Sequence, residues 1–250
     1  MSGGMRRWLW QITFVAALLA SSLAVYFVQF LLFRKPLDQW FYFFQDFAFV
    51  PISVLVVTLI LNRALAMHEK QRSRRKVHML IGAFFADIGR ELLGKLAHTD
   101  QDRAALAREL TIAANWTERE YQRAAAAFRK RECRIGAETE QMEDLKEFLG
   151  GQRRGLMTLL ESPSLLEHES FSELLWAVSH LADELACRPR LAGLSENDRR
   201  HLAADIQRAY RALVAEWLLH LMHLRRQYPY LYSLALRTNP FDPNAKVELA

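Results

Sequence analysis

Residues 8–33 read WLWQITFVAALLASSLAVYFVQFLLF, and residues 40–61 read WFYFFQDFAFVPISVLVVTLIL. The first run has no charged side chain; the second has a single one, Asp46. Each exceeds the roughly 20 residues that a helix needs to cross the hydrocarbon core of a bilayer. Only a short polar turn, 34–39, separates them. A helix satisfies its own backbone polar groups in lipid. The pattern therefore predicts a transmembrane helical hairpin over residues 1–63, with helices at 8–33 and 40–62.

Outside this hairpin the composition changes. The chain has 250 residues, of which 51% are hydrophobic, and a net charge of +5. Almost all of the charge lies beyond residue 61. The remaining stretch is long enough to bury a core of its own. The two cysteines, Cys133 and Cys187, do not make a disulfide framework and suit a reducing compartment. Arg6, Arg7 and the Ser22-Leu23-Ala24 stretch loosely resemble a cleavable signal. The apolar run, however, outlasts the about 7–15 residues of a signal core.

Orientation follows from the basic residues flanking the runs. One side of the hairpin carries Arg6, Arg7, Arg63, Lys70, Arg72, Arg74, Arg75 and Lys76, against Arg34 and Lys35 in the turn. The positive-inside rule places both termini in the cytoplasm. Trp8 and Trp10 then mark the inner interface, and Trp40 and Tyr42 the outer one. Arg63, Lys70, Arg72, Arg74, Arg75 and Lys76 also fall at the level of the inner headgroups, where anionic lipid attracts them.

Within the hairpin, Ala16, Ala20 and Ala24 put a small residue on every fourth position, a stripe suited to contact with the second helix or another copy. Gln45 and Asp46 form a polar site in the second run, about 9 Å below Trp40 at 1.5 Å per residue. An ionised carboxylate there costs at least about 2.5–3.5 kcal/mol unless it finds water or a partner. Protonation supplies one answer, pairing with Arg34 or Lys35 a second, and a wet path between several hairpins a third. Pro51 removes a backbone donor further along the same helix.

No breaker follows Leu61, so residues 62–96 are expected to continue as one helix, with 64–98 proximal to the membrane. Its apolar positions Val77, Leu80, Ile81, Phe84, Phe85, Ile88, Leu92 and Leu96 share one face. Gly82 and Gly89 fall on one side, where a neighbour can approach closely. Beyond it the spacing predicts helices at 100–115, 118–134, 138–161, 167–186, 196–227 and 230–236. Cap patterns stand at Thr99/Asp102, Thr117/Glu120, Ser170/Glu173 and Ser195/Asp198. The apolar stripes of 171–185 and 196–227 are expected to pack into a cytoplasmic α-helical bundle over 99–243, followed by a tail, 244–250. The aromatic segment YPYLYSLALRTNPFDP, 228–243, is expected to pack on that bundle or to offer a docking surface. The fold class is all-α.

Chemistry is sparse. Residues 89–96, GRELLGKL, imitate a phosphate loop, but Leu96 replaces the metal-binding hydroxyl and no strand precedes them. Potential metal ligands His168, Glu169, Glu173, His180, Asp183, Glu184, Asp205, Glu216, His220 and His223 lie on the two long helices. No Glu-x-x-His, HExxH or CxxC pattern joins them, and ordinary surface and hydrogen-bonded side chains account for them. No catalytic, metal or cofactor site is assigned, and no nucleic-acid reader is recognised.

LIGAFFADIG at 80–89 and YPYLYSLALRTNPFDP at 228–243 resemble segments of a group of uncharacterised bacterial membrane proteins with a two-helix N-terminus and a helical cytoplasmic region. The likeness covers roughly 41–98 and 156–243 and implies no activity. The expected protein is a bacterial inner-membrane scaffold, sensor or subunit. Its expected partners are the bilayer, anionic lipid, and a second copy or another membrane protein. The alternatives are an oligomeric channel or transporter subunit built around Asp46, and a metal-dependent enzyme in the bundle.

Overall fold

The structure, a computed structural model, describes residues 2–32, 39–112, 116–136, 138–242 and 245–246. Side chains are described for these except 2–10, 26, 29, 39–43, 74, 166 and 167. Arg34 and Lys35 lie outside the described residues. So do the side chains of Arg6, Arg7, Trp8, Trp10, Trp40, Tyr42 and Arg74. The order is α1 Ser2–Leu32, α2 Gln39–Phe84, a π turn Phe85–Gly89, α3 Arg90–Thr99, α4 Arg103–Leu110, α5 Glu118–Arg129, α6 Thr139–Leu160, a 3-10 turn Pro163–Glu167, α7 Glu169–Ala186, α8 Glu196–Gln227 and α9 Pro229–Arg237. An isolated bridge between Asp100 and Ile135 is the one extended pairing among the described residues. The protein is all-α.

Two compact units, Met1–Arg72 and Ser73–Ala250, divide inside α2. In the first, the helices are long and apolar enough to cross a membrane. The better-covered side chains recur at Val15, Leu18, Ser22 and Val25, and at Phe44, Ala48, Ile52 and Leu55. These spacings of three and four define one face on each helix. Across it the buried Ser22 hydroxyl donates to the Ala48 carbonyl at 2.8 Å. Small side chains let the two helix backbones approach closely enough for such a contact. Ala16, Ala20 and Ala24 stand exposed on another face, as do Gln45 and Asp46. Arg63, Lys70 and Arg72 are exposed.

In the second unit, Arg75 and Lys76 are also exposed. Residues 77–97 do not stand apart from the bundle; Val77, Ile81, Phe84, Ile88, Leu92 and Leu96 belong to its core. The expected unbroken helix through 96 is interrupted by the π turn Phe85–Gly89. Gly89 explains the local geometry: a Cβ there would lie 2.7 Å from ring carbons of both Phe84 and Phe85. Gly82 faces His220 instead, at 3.8 Å from an equivalent Cβ.

The caps divide the sequence expectations. Thr117 and Glu120 form a complete capping box for α5, and Ser195 accepts from the Asp198 amide to start α8. Thr99 instead donates to the Leu96 carbonyl, and α4 starts after Asp102 without a side-chain cap. The α7 cap is His168, whose Nδ1 accepts from the Phe171 amide, rather than Ser170. The helices expected at 100–115 and 118–134 shorten to 103–110 and 118–129. Backbone hydrogen bonds from Gln101 to Arg134 and from Gly136 to Thr99 tie the segment before α4 to the segment after α5. The aromatic C-terminal segment packs on the bundle: the Tyr232 and Tyr121 hydroxyls meet at 2.7 Å, Asn239 donates to the Leu110 carbonyl, and Phe241 lies against Trp217. Tyr230 remains 70% exposed.

Gly89→Ala should lower the stability of the second unit by about 1–3 kcal/mol through overpacking. Gly94→Ala, in α3 with nothing within 4 Å of its Cβ position, should raise it by about 0.5–1 kcal/mol. Thermal unfolding of both variants in detergent checks the opposite signs.

Candidate functional site

Helix α7 buries Phe171, Leu174, Leu175, Val178, Leu181, Ala182 and Leu185, the face expected from its spacing. That registration leaves His180 and Glu184, four residues apart, on its flank. Helix α8 starts at the Ser195 cap and presents His201 and Asp205, again four apart. Positions i and i+4 share a helix face. As α7 and α8 pack against each other, the two pairs meet.

His180 Nε2 lies 3.5 Å from Asp205 Oδ2 and 4.0 Å from Glu184 Oε1. His201 Nε2 lies 3.4 Å from the same Asp205 oxygen and 3.5 Å from Glu184 Oε2. His180, Glu184 and Asp205 offer ligand atoms all within 4.8 Å of one another. The Asp205 side chain is 2% exposed, and its Oδ2 accepts no hydrogen bond. Its other oxygen accepts from Arg208 at 2.7 Å. Glu184 Oε2 accepts from Arg188 at 2.6 Å. The Arg188 hydrogen bond holds the Glu184 carboxyl below its usual range; its burial opposes this, and the charges of Arg188, His201 and His180 reinforce it.

His180 and Arg208 also line a cleft of about 590 Å³, together with Arg129, Glu173, Trp176 and Arg211. Trp176 is 66% exposed. The cleft cations are tied from behind. Arg129 donates to the buried Glu216 at 2.6 Å, and Arg211 donates to the Arg129 carbonyl. A second, apolar pocket of about 230 Å³ lies among Phe85, Trp217, His220, Leu224 and Leu231. There His220 stacks on Phe85 with ring centroids 5.0 Å apart, and its Nδ1 accepts or donates no hydrogen bond. Burial pushes His220 down to about 4, with the charges of His223 and His78 adding to it.

Of the ten potential ligands expected from the sequence, three assemble: His180, Glu184 and Asp205. Four of the others serve elsewhere. His168 caps α7, Asp183 pairs with Arg153, Glu216 pairs with Arg129, and His223 stacks on His78. His201 was not among the ten. Its signal was present as His-x-x-x-Asp on α8 facing His-x-x-x-Glu on α7. The phosphate-loop imitation is helix: Lys95 lies in α3 and pairs with Asp144 at 2.6 Å.

The buried His220 fixes a pH dependence. Its folded value of about 4 lies below the ordinary 6.5, so between these limits the unfolded chain binds more protons, and stability rises with pH. The contribution is complete above pH 6.5, falls as the pH drops to about 4, and is flat below. The loss should reach about 3 kcal/mol at most. His220→Gln should flatten this limb in unfolding curves measured across that window.

Comparison with known proteins places the chain in a family. A profile described as MJ1433, N-terminal helical domain, matches residues 6–65. A second, described as Uncharacterized protein MJ1433, C-terminal helical domain, matches residues 73–237. The chain is similar to Uncharacterized protein MJ1433 of Methanocaldococcus jannaschii, with 42% identity over 221 residues, covering 88% of this chain and 89% of that protein. That relative is archaeal, whereas the likeness of 80–89 and 228–243 pointed to a bacterial group; an uncharacterised helical family is common to both. No solved structure matches.

Proposed function

The chain belongs to the MJ1433 family, and from that footing we propose that it is a membrane-anchored interaction or sensor protein. In this reading α1 and the first part of α2 lie in the cell membrane. Both termini are cytoplasmic, and the helical unit from Ser73 onward carries the binding surfaces. One observation supports it above the rest: the most apolar windows within Gln11–Leu32 and Phe44–Thr99 are each only 6% buried. Phe27, Phe30, Leu31, Val57 and Ile60 are each more than 60% exposed. So much exposed apolar surface is what an apolar phase around these helices would cover. The second unit has its own closed core and makes no such demand.

The exposed cations Arg63, Lys70, Arg72, Arg75 and Lys76 follow the apolar window at headgroup level and favour anionic lipid on that side. Gln45 and Asp46 face outward. A lipid-facing carboxylate is costly, and a second copy covering it supplies the reason for self-association.

The full-length chain should remain in the membrane pellet after alkaline carbonate washing, and a reporter fused after Ala250 should be cytoplasmic. Folded protein released without amphiphile, or an exported reporter, overturns the placement. In mild detergent the chain should sediment as an oligomer, and Asp46→Leu should shift it toward monomer. A wild-type chain that is monomeric under those conditions removes self-association.

A further inference from the structure

We propose that His180, Glu184, His201 and Asp205 form a binding site for one divalent transition-metal ion of the zinc class. This goes beyond the membrane-anchored reading and does not rest on it. Two imidazoles and two carboxylates from facing helices make a donor set of the kind such ions take, and helical bundles build metal sites in this way. The imidazoles favour transition metals over calcium or magnesium, which prefer oxygen.

The separations agree with an ion between the ligands. Metal bonds of about 2.1 Å in a tetrahedron put neighbouring ligand atoms about 3.4 Å apart. The His201–Asp205 and His180–Asp205 distances are 3.4 and 3.5 Å, and His180 Nε2 lies 4.0 Å from the inward Glu184 Oε1. They exceed the about 2.7–2.9 Å of a direct charge-assisted hydrogen bond. The nitrogens and oxygens approach one another without joining.

Asp205 gives an independent indication. Its side chain is 98% buried by complement of its 2% exposure, and Oδ2 points at both imidazoles with no donor of its own. A buried oxygen left in this state is expensive, and a cation between the helices would satisfy it. The outer oxygens are already held. Arg208 takes Asp205 Oδ1 and Arg188 takes Glu184 Oε2, which leaves Asp205 Oδ2 and Glu184 Oε1 turned inward. Partners of this type orient first ligands and fix their angle. His180 and His201 are each about half exposed, with 48% and 53% of their side-chain surface open, so an ion can enter from solvent.

The test uses full-length protein in detergent, stripped with chelator and titrated with Zn²⁺ by calorimetry, with Co²⁺ absorption reporting the ligand field. One Zn²⁺ per chain and a rise in the unfolding temperature are expected. The exposed double variant His180→Ala/His201→Ala should fold and lose at least about tenfold in affinity. Asp205→Asn should do the same where it folds, and His223→Ala should bind as wild type. Absence of saturable Zn²⁺ binding overturns the proposal. So does binding that the double variant leaves unchanged, which would place the ion elsewhere.

Discussion

The second unit depends on the enclosure of α8. A helix that packs on one neighbour needs a single apolar stripe. Over residues 213–218 of α8 every side chain is buried, because α3, α5, α7 and α9 surround it. Its central turns therefore have no solvent face. Leu213, Val214, Leu218 and Leu221 are fully enclosed, and each neighbouring helix buries its own stripe against a different side.

Enclosure sets the terms for polar residues on that helix. Asp205, Glu216 and His220 are all buried there. Each finds a separate answer from a different element. Glu216 meets Arg129 of α5, and truncating one partner of such a pair typically costs about 3–5 kcal/mol because the other charge is left uncompensated. His220 lies against the Phe85 ring and gives up its proton instead. Asp205 gives one oxygen to Arg208 of its own helix and turns the other, which accepts no hydrogen bond, toward two imidazoles, one from α7 and one from α8. The polar residues of the core thus mark its joints, where elements distant in sequence must agree in register.

Much of this was legible in the sequence. The apolar runs at 8–33 and 40–61 follow from length and lack of charge, and the stripe on α7 and the extent of α8 from periodicity, all of them local properties. The Thr117 and Ser195 caps were equally local. What was hidden depends on tertiary placement. A single stripe was visible on α8, since a spacing rule does not reveal that other faces are also covered. His201 carries no local mark of a site, and only the approach of α7 brings it beside Glu184. Thr99 turned back to the Leu96 carbonyl because the 99–102 and 134–136 segments pair there, a contact spanning some thirty residues. The π turn was invisible for a related reason: Phe84, Phe85 and Ile88 suit an ordinary helix, and only the crowding of two rings over Gly89 distinguishes the wider one.

That wider turn has a topological cost and benefit. A π turn accommodates one more residue than the α-helical path requires, so the angular phase of the chain after Gly89 is offset from that before Phe85. Residues 77–84 and 90–97 can consequently aim their apolar side chains at different neighbours without a loop between them. The chain changes azimuth while keeping its backbone hydrogen-bonded, as a spiral stair with one deeper tread delivers the climber to a different landing.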